Sequence, residues 1–409
     1  MDITIFPKKL NGTVAAIPSK SHAHRLFVCA ALADQPTQID IPSLCDDLIA
    51  TIGCIGGLGG EIEHCYGKSE IITPMVRTPE STVANCGESG STLRFFLPLA
   101  GALGVNTVFH LEGKLPYRPL SPLWEEMERH GCKLSWLSRS AMQASGERIP
   151  RSVTAGLQLS GKLRPGHYRI DGSVSSQFIS GLLMALPLLE DESRLELMGR
   201  VESKPYVDMT LHTLSQFGVH WDDMHTSGNQ VFKSPGTVTV EGDWSSAAFW
   251  MAADAIGSNI QVTGLNENSV QGDKAISSLL PQFQENITIS AADIPDLVPV
   301  LSVVAAANQG AVFTDIRRLR LKESNRIDAI VDMLHALGGK AVADENTLII
   351  YPAKLTGGTV DCYHDHRIAM AAAIASTVCT SPVTILGADC VSKSYPSFWK
   401  EFTRLGGQI

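Results

Sequence analysis

The chain has 409 residues, 44% hydrophobic and 18% charged, a balance that excludes a disordered chain and suits a globular protein of two or three domains at roughly 150 residues each. Its net charge of -9 argues against a general nucleic-acid binder, whose surface should be basic, but leaves an anionic small substrate open because only the field inside a cleft matters there. The longest apolar runs, such as 368–379, stop short of the roughly 18 residues of a membrane span, and Met1 to Lys9 has no signal-peptide core, so a cytoplasmic protein without a membrane partner is expected.

Along the chain one two-part phrase recurs six times. Its first part is a polar, small-residue loop that runs directly into an apolar helix. These loops start near Ser19, Gly87, Gly172, Gly242, Asp293 and His364. Ser, Asp and Gly at such positions are N-cap residues, and helices apolar on every side must be buried. The second part is an amphipathic helix that stops at glycine and feeds a strand. Leu120, Leu123, Trp124 and Met127 stop at Gly131, and Ile327, Ile330, Val331, Leu334 and Leu337 stop at Gly338. Six copies spaced mostly by about 70 residues mean six supersecondary units rather than one doubly wound sheet. The fourth copy is followed after only about 50 residues by the fifth and lacks the glycine stop after Leu280, so it is read as trimmed. Lys8 to Gly12 and Lys233 to Gly236 mix Lys with Gly or Pro between strand-like runs. They are the expected crossovers, giving an N-terminal domain over 13–233 and a C-terminal domain over 1–12 and 234–409.

The nine cysteines form no CxxC pair, so reduced and mostly buried thiols are expected. His364, Asp365 and His366 are the one His cluster of note; alternate residues on a strand would face opposite ways, so no metal is expected.

One polar loop alone is plain helix capping. Six together are different, since each helix N-terminus presents free N–H groups and a positive dipole end. If several face one cleft, they form an anion trap. Basic residues sit on or beside these loops: Lys20, Arg25, Arg94, Arg118, Lys322, Arg326, Arg367 and Lys393. Any one could be a surface salt bridge, but the set favours a ligand with several negative charges, which arginine grips with a planar fork. Asp296 lies near a helix start, and Glu323 sits between Lys322 and Arg326. Each is either an acid–base group or a plain cap or ion-pair partner. No GxxxxGK[ST] loop, GxSxG elbow or basic run interleaved with aromatics occurs. The glycines at 56–60 end a helix instead of opening one, which disfavours a dinucleotide fingerprint.

Pro18-Ser19-Lys20-Ser21 with Arg25, Asp171 to Phe178, Ser203-Lys204-Pro205-Tyr206, Leu321 to Arg326 and Asp365-His366-Arg367 stand in an order, and over a span of nearly the whole chain, that resembles the EPSP synthase family of enolpyruvyl transferases. The resemblance implies an α/β fold of two similar domains, each of three βαβαββ units in an inside-out α/β barrel, joined by two hinge crossovers. It implies transfer of the enolpyruvyl group of phosphoenolpyruvate to the 5-hydroxyl of shikimate 3-phosphate with release of phosphate, by a monomer that needs no metal or organic cofactor. Residue by residue, it puts Lys20, Asp296, Glu323 and His366 in catalysis. Shikimate 3-phosphate falls to Lys20, Ser21, Arg25, Ser175, Ser176, Gln177, Ser203, Tyr206, Asp296 and Lys322. Phosphoenolpyruvate falls to Lys20, Gly90, Arg118, Gln177, Arg326, Arg367 and Lys393.

Four positions depart from the family pattern. Glu88 replaces a usual Asn and would repel phosphoenolpyruvate unless Arg94 or Arg118 pairs with it. His24 replaces a common Asn before Arg25, Arg318 falls where some members use Asn, and the fourth unit is short of about one β-hairpin. The sister enzyme that acts on UDP-N-acetylglucosamine carries a cysteine in the loop before an Arg-Pro pair. Here Leu111 to Pro119 has none. A non-catalytic anion-binding homologue is the other alternative, and the presence of both Asp296 and Glu323 speaks against it.

Overall fold

The computed structural model describes residues 1–65, 69–75, 78–144 and 149–409. The chain divides into two compact units, Pro18–Val240 and Met1–Ile17 with Glu241–Ile409, here called the N-terminal and C-terminal units. The crossings lie a few residues further along than the expected borders at 12/13 and 233/234. The reason is strand pairing. Asn11–Ala15 pairs in parallel with Asn259–Thr263 of the C-terminal unit, and Thr237–Thr239 pairs in parallel with Thr37–Asp40 of the N-terminal unit. The strand that leads into each unit's first helix therefore belongs to the other unit, and the chain crosses only after it.

Among the described residues each unit holds three sheets and three apolar helices. In the N-terminal unit the helices are Lys20–Leu32, Gly90–Leu103 and Ser176–Ala185; in the C-terminal unit they are Trp244–Ala255, Val298–Ala307 and His366–Ser376. Most sheets repeat one plan. A strand, an apolar helix and a parallel strand come first, and antiparallel strands are then added, as in Ser81–Asn85, Asn106–Glu112, Val153–Gly161 and Cys132–Leu137. The helices are central and the sheets lie outside them, so the helices must be apolar all round: every residue of His366–Ser376 is buried. Each unit has its own hydrophobic core. The fold is α/β of the inside-out kind that the family resemblance implies.

The fourth unit is trimmed as expected. The first unit adds the hairpin Glu61–Cys65 and Ser69–Thr73 to its sheet. The fourth has only the pair Asn11–Ala15 and Asn259–Thr263, and short helical turns from Gly272 to Gln284 lead straight to Ile287–Ser290.

Five of the six apolar helices are capped by the residue types that marked them. The side chains of Ser19, Ser89, Ser175, Asp243 and Asp365 each accept a backbone N–H of the first turn. Val298–Ala307 is the exception: Leu297 precedes it and no side chain caps it. Asp296 precedes Leu297, the residue at the cap position, and its carboxylate pairs instead with Arg326 and Arg367. Amphipathic helices end in glycine; Gly338 (φ +79°) follows Arg326–Ala336, in a region that other residues enter only with strain. No helix among the described residues is long and apolar enough to cross a membrane.

Candidate active site

Helix starts deliver most of the candidate residues, so each unit carries its own set. In the N-terminal unit, Lys20 opens its helix and its Nζ donates to Asp47 at 2.7 Å. Ser21 follows, and its carbonyl accepts from Arg25 Nη1 at 2.6 Å. Arg25 is buried against the Phe95 ring, 5.2 Å from the centroid, and also donates to Thr210, Ser180 and the Tyr206 carbonyl. Burial pushes its guanidinium down to about 10. Four hydrogen bonds from five donors leave Arg25 one N–H for a ligand. It is first a clamp that joins three helices.

Gly90 opens the second helix. A Cβ there would fall 2.5 Å from an Nη1 of both Arg94 and Arg118, so the missing side chain is what lets two cations approach this N-terminus. Arg94 donates to the Gly90 and Pro119 carbonyls and to Gln177 Oε1, and Gln177 donates on to Ser91 at 2.9 Å. Ser175 caps the third helix and Ser176 begins it. Ser203 lies buried with φ 55°, a left-handed conformation uncommon for serine, just ahead of Lys204–Gln216, which carries Tyr206. Glu88 is exposed and its carboxylate lies against Gly113, where a Cβ would collide with it. The Glu88 carboxylate is thus set over the glycine of the following turn.

The C-terminal unit gathers acids around one arginine. All five N–H groups of buried Arg326 are engaged. Nε reaches Asp365 Oδ2 at 3.0 Å; Nη1 reaches Asp296 Oδ1 at 2.7 Å and the Pro295 carbonyl; Nη2 reaches Glu323 Oε2 at 2.7 Å and Asp365 Oδ1. The two predicted acids, 27 residues apart in sequence, therefore meet on one guanidinium. An anion that reaches Arg326 has to displace a protein carboxylate. Arg367 lies 3.2 Å from Asp296 Oδ2 and is steadied by Ser245, to whose Oγ it donates at 2.9 Å; Asp243 in turn accepts from that hydroxyl. Lys322 is 3.8 Å from Asp296. Lys393 donates to the His364 carbonyl, and His366 is buried at the start of its helix. His364 and Asp365 precede a helix rather than lying on a strand, and Asp365 turns inward to Arg326 and Ser324. Among the described residues no group of three or more His, Cys, Asp or Glu is gathered as a metal site would be.

The electrostatics separate the roles. Burial works against the ionised Asp296, but Arg367, Lys322 and Arg326 outweigh it and hold the carboxyl well below the usual range. Asp296 is therefore held as the ionised carboxylate. Burial pushes Lys322 down to about 8; Asp296 restores part of its affinity for a proton, while Arg318 and Arg326 repel it further. Sequence reasoning missed Asp47, Asp243, Ser245, Ser180 and Thr210 because each looks like an ordinary polar residue until folding puts it against a cation.

Residues 6–402 match the family described as EPSP synthase (3-phosphoshikimate 1-carboxyvinyltransferase). A 3-phosphoshikimate 1-carboxyvinyltransferase of Clostridium kluyveri is 38% identical, covering 100% of this chain and 98% of its own. Those of Clostridium acetobutylicum and Clostridioides difficile are 39% and 38% identical over 100% of this chain and 98% of their own. A solved EPSP synthase of Acinetobacter baumannii shares the fold with a TM-score of 0.77, at 23% identity over 99% of this chain and 98% of that one. With the match running through both units and both residue sets, this chain belongs to the EPSP synthase family.

Proposed function

We propose that the chain is an enzyme that moves the enolpyruvyl group of phosphoenolpyruvate to the 5-hydroxyl of shikimate 3-phosphate and releases inorganic phosphate, a step of the shikimate pathway. The observation that carries this reading is the convergence of Asp296 and Glu323 on Arg326, beside Lys322 and Arg367. The relatives' shared name supports the choice of acceptor.

Both substrates carry phosphate and carboxylate groups, so the site must offset their repulsion. Lys20, Ser21, the remaining N–H of Arg25, Ser175, Ser176, Gln177, Ser203, Tyr206 and Lys322 hold shikimate 3-phosphate in this reading. Lys20, Gly90, Arg118, Gln177, Arg326, Arg367 and Lys393 hold phosphoenolpyruvate, whose carboxylate exchanges for a protein carboxylate on Arg326. The reaction joins the 5-oxygen to C2 of the enol phosphate and adds a proton to its methylene carbon. The tetrahedral intermediate then loses phosphate and a methyl proton. Asp296, ionised among cations, is suited to accept the hydroxyl proton. Glu323, freed from Arg326 by the incoming carboxylate, serves the carbon, with His366 and Lys20 completing the catalytic set. Each well-placed transfer is worth on the order of 10² to 10⁴ in rate.

Phosphate release from purified protein tests the proposal. Release with both substrates supports it. Release with UDP-N-acetylglucosamine in place of shikimate 3-phosphate, or binding of both anions without release, overturns it.

A further inference from the structure

A buried hydrogen-bond chain runs beneath the anion-binding side of the N-terminal unit. His24 Nδ1 meets Thr51 Oγ1 at 2.7 Å, Thr51 Oγ1 meets Thr92 Oγ1 at 2.7 Å, and Thr92 Oγ1 donates to Ser89 Oγ at 2.7 Å. His24, Thr51 and Thr92 are 0% exposed and Ser89 is 1% exposed. The chain joins three helices: Lys20–Leu32, Asp46–Gly57 and Gly90–Leu103. Its far end, Ser89, caps the helix that Gly90 opens. Asp47, on the middle helix, also accepts from Lys20, one turn before His24, through its carboxylate.

The direction of donation can be read. Ser89 Oγ accepts both the Thr92 hydroxyl and the Thr92 N–H. Thr92 Oγ1 has then given its only proton and must accept from Thr51, and Thr51 in turn accepts from His24 Nδ1–H. This leaves His24 Nε2 a buried atom with no hydrogen-bond partner, its ring edge-on to Phe95 at 6.3 Å between centroids. Burial, with Lys20 and Arg25 nearby, keeps the imidazole neutral. A leucine would fill the space without an orphaned nitrogen, so packing alone does not account for a histidine here.

We propose that His24, Thr51 and Thr92 are positioning residues that fix Lys20 and the Gly90 helix start at a set separation, so that one phosphoenolpyruvate meets both. This rests on the assignment of phosphoenolpyruvate to Lys20 and Gly90 above. A lysine side chain and a helix N-terminus on separate helices can share one small anion only if those helices cannot slide.

Thr51→Val keeps shape and removes both central bonds; Thr51→Ser restores them. In T51V the KM for phosphoenolpyruvate should rise roughly five- to tenfold, with a smaller loss of calorimetric affinity for shikimate 3-phosphate, and T51S should return the KM close to that of the parent. Equal weakening of both substrates, or a lower Tm with an unchanged phosphoenolpyruvate KM, overturns the proposal. Imidazole ¹⁵N spectra of the parent protein give a readout that needs no turnover. An Nδ1–H tautomer of His24 supports the chain as drawn and an Nε2–H tautomer overturns it. A parent protein without activity would instead sink the reaction assigned above.

Discussion

In the N-terminal unit Arg25 and Arg94 rest on carbonyls, hydroxyls and an amide, whereas in the C-terminal unit Arg326 rests mainly on carboxylates and Arg367 on a carboxylate and a serine. Neutral partners orient a guanidinium and leave its charge undiminished, so it still attracts an anion. Carboxylate partners cancel the charge and fix the ionisation of the acids instead. One fold, repeated, therefore places neutral acceptors on Arg25 in one unit and carboxylates on Arg326 in the other. The difference lies in who the arginines' partners are, not in how many arginines there are.

The largest test of this contrast is to remove the two hubs in parallel. Arg326→Met strands Asp296, Glu323 and Asp365 without their common partner and should cost about 3–5 kcal/mol of stability. Arg94→Met strands the Gly90 and Pro119 carbonyls and the Gln177 amide oxygen and should cost about 1–3 kcal/mol. Equal losses in thermal or denaturant unfolding would erase the distinction.

Next in size is turnover. Glu323→Gln should cut phosphate release by on the order of 10² to 10⁴ while shikimate 3-phosphate binding by calorimetry changes little. A large loss of that binding would place Glu323 among the binding groups. Lys20→Met should act in the opposite sense, raising the phosphoenolpyruvate KM by about tenfold or more with a smaller effect on shikimate 3-phosphate. The same factor for both would contradict the division of labour.

The smallest effect is on pH. Lys322 titrates near 8 in the folded protein against 10.5 unperturbed, so between these values the unfolded chain binds the extra proton. Through this group stability rises with pH across that window, and the part of the slope due to it should vanish in Lys322→Met. Shikimate 3-phosphate binding should run the other way, weakening as the pH rises through about 8 and the ammonium is lost. Binding curves of K322M that keep the same pH dependence would remove Lys322 from the anion site.

Much of this was legible in the residue order. The serines and aspartates ahead of apolar runs marked five of six helix starts, because a cap is a local interaction between a side chain and the next turn. The missing glycine stop and short interval of the fourth copy forecast its two-stranded sheet. The unit borders were misplaced by a few residues because strands 11–15 and 237–239 read the same whichever sheet they join. Arg25 and Arg326 looked like open anion ligands because a sequence shows a cation without its partners.

Local pattern, then, determined the repeat, the helix starts, the helix ends and the inventory of cations and acids, since each depends on neighbours within a turn or two. Tertiary structure alone decided that Asp296 is ionised rather than capping, that Arg326 is saturated, that Asp47 holds Lys20, and that His24 speaks to Ser89 through two threonines. Those outcomes depend on charges and hydrogen bonds between segments tens of residues apart, whose strength is set by burial and distance, and neither quantity exists until the chain has folded.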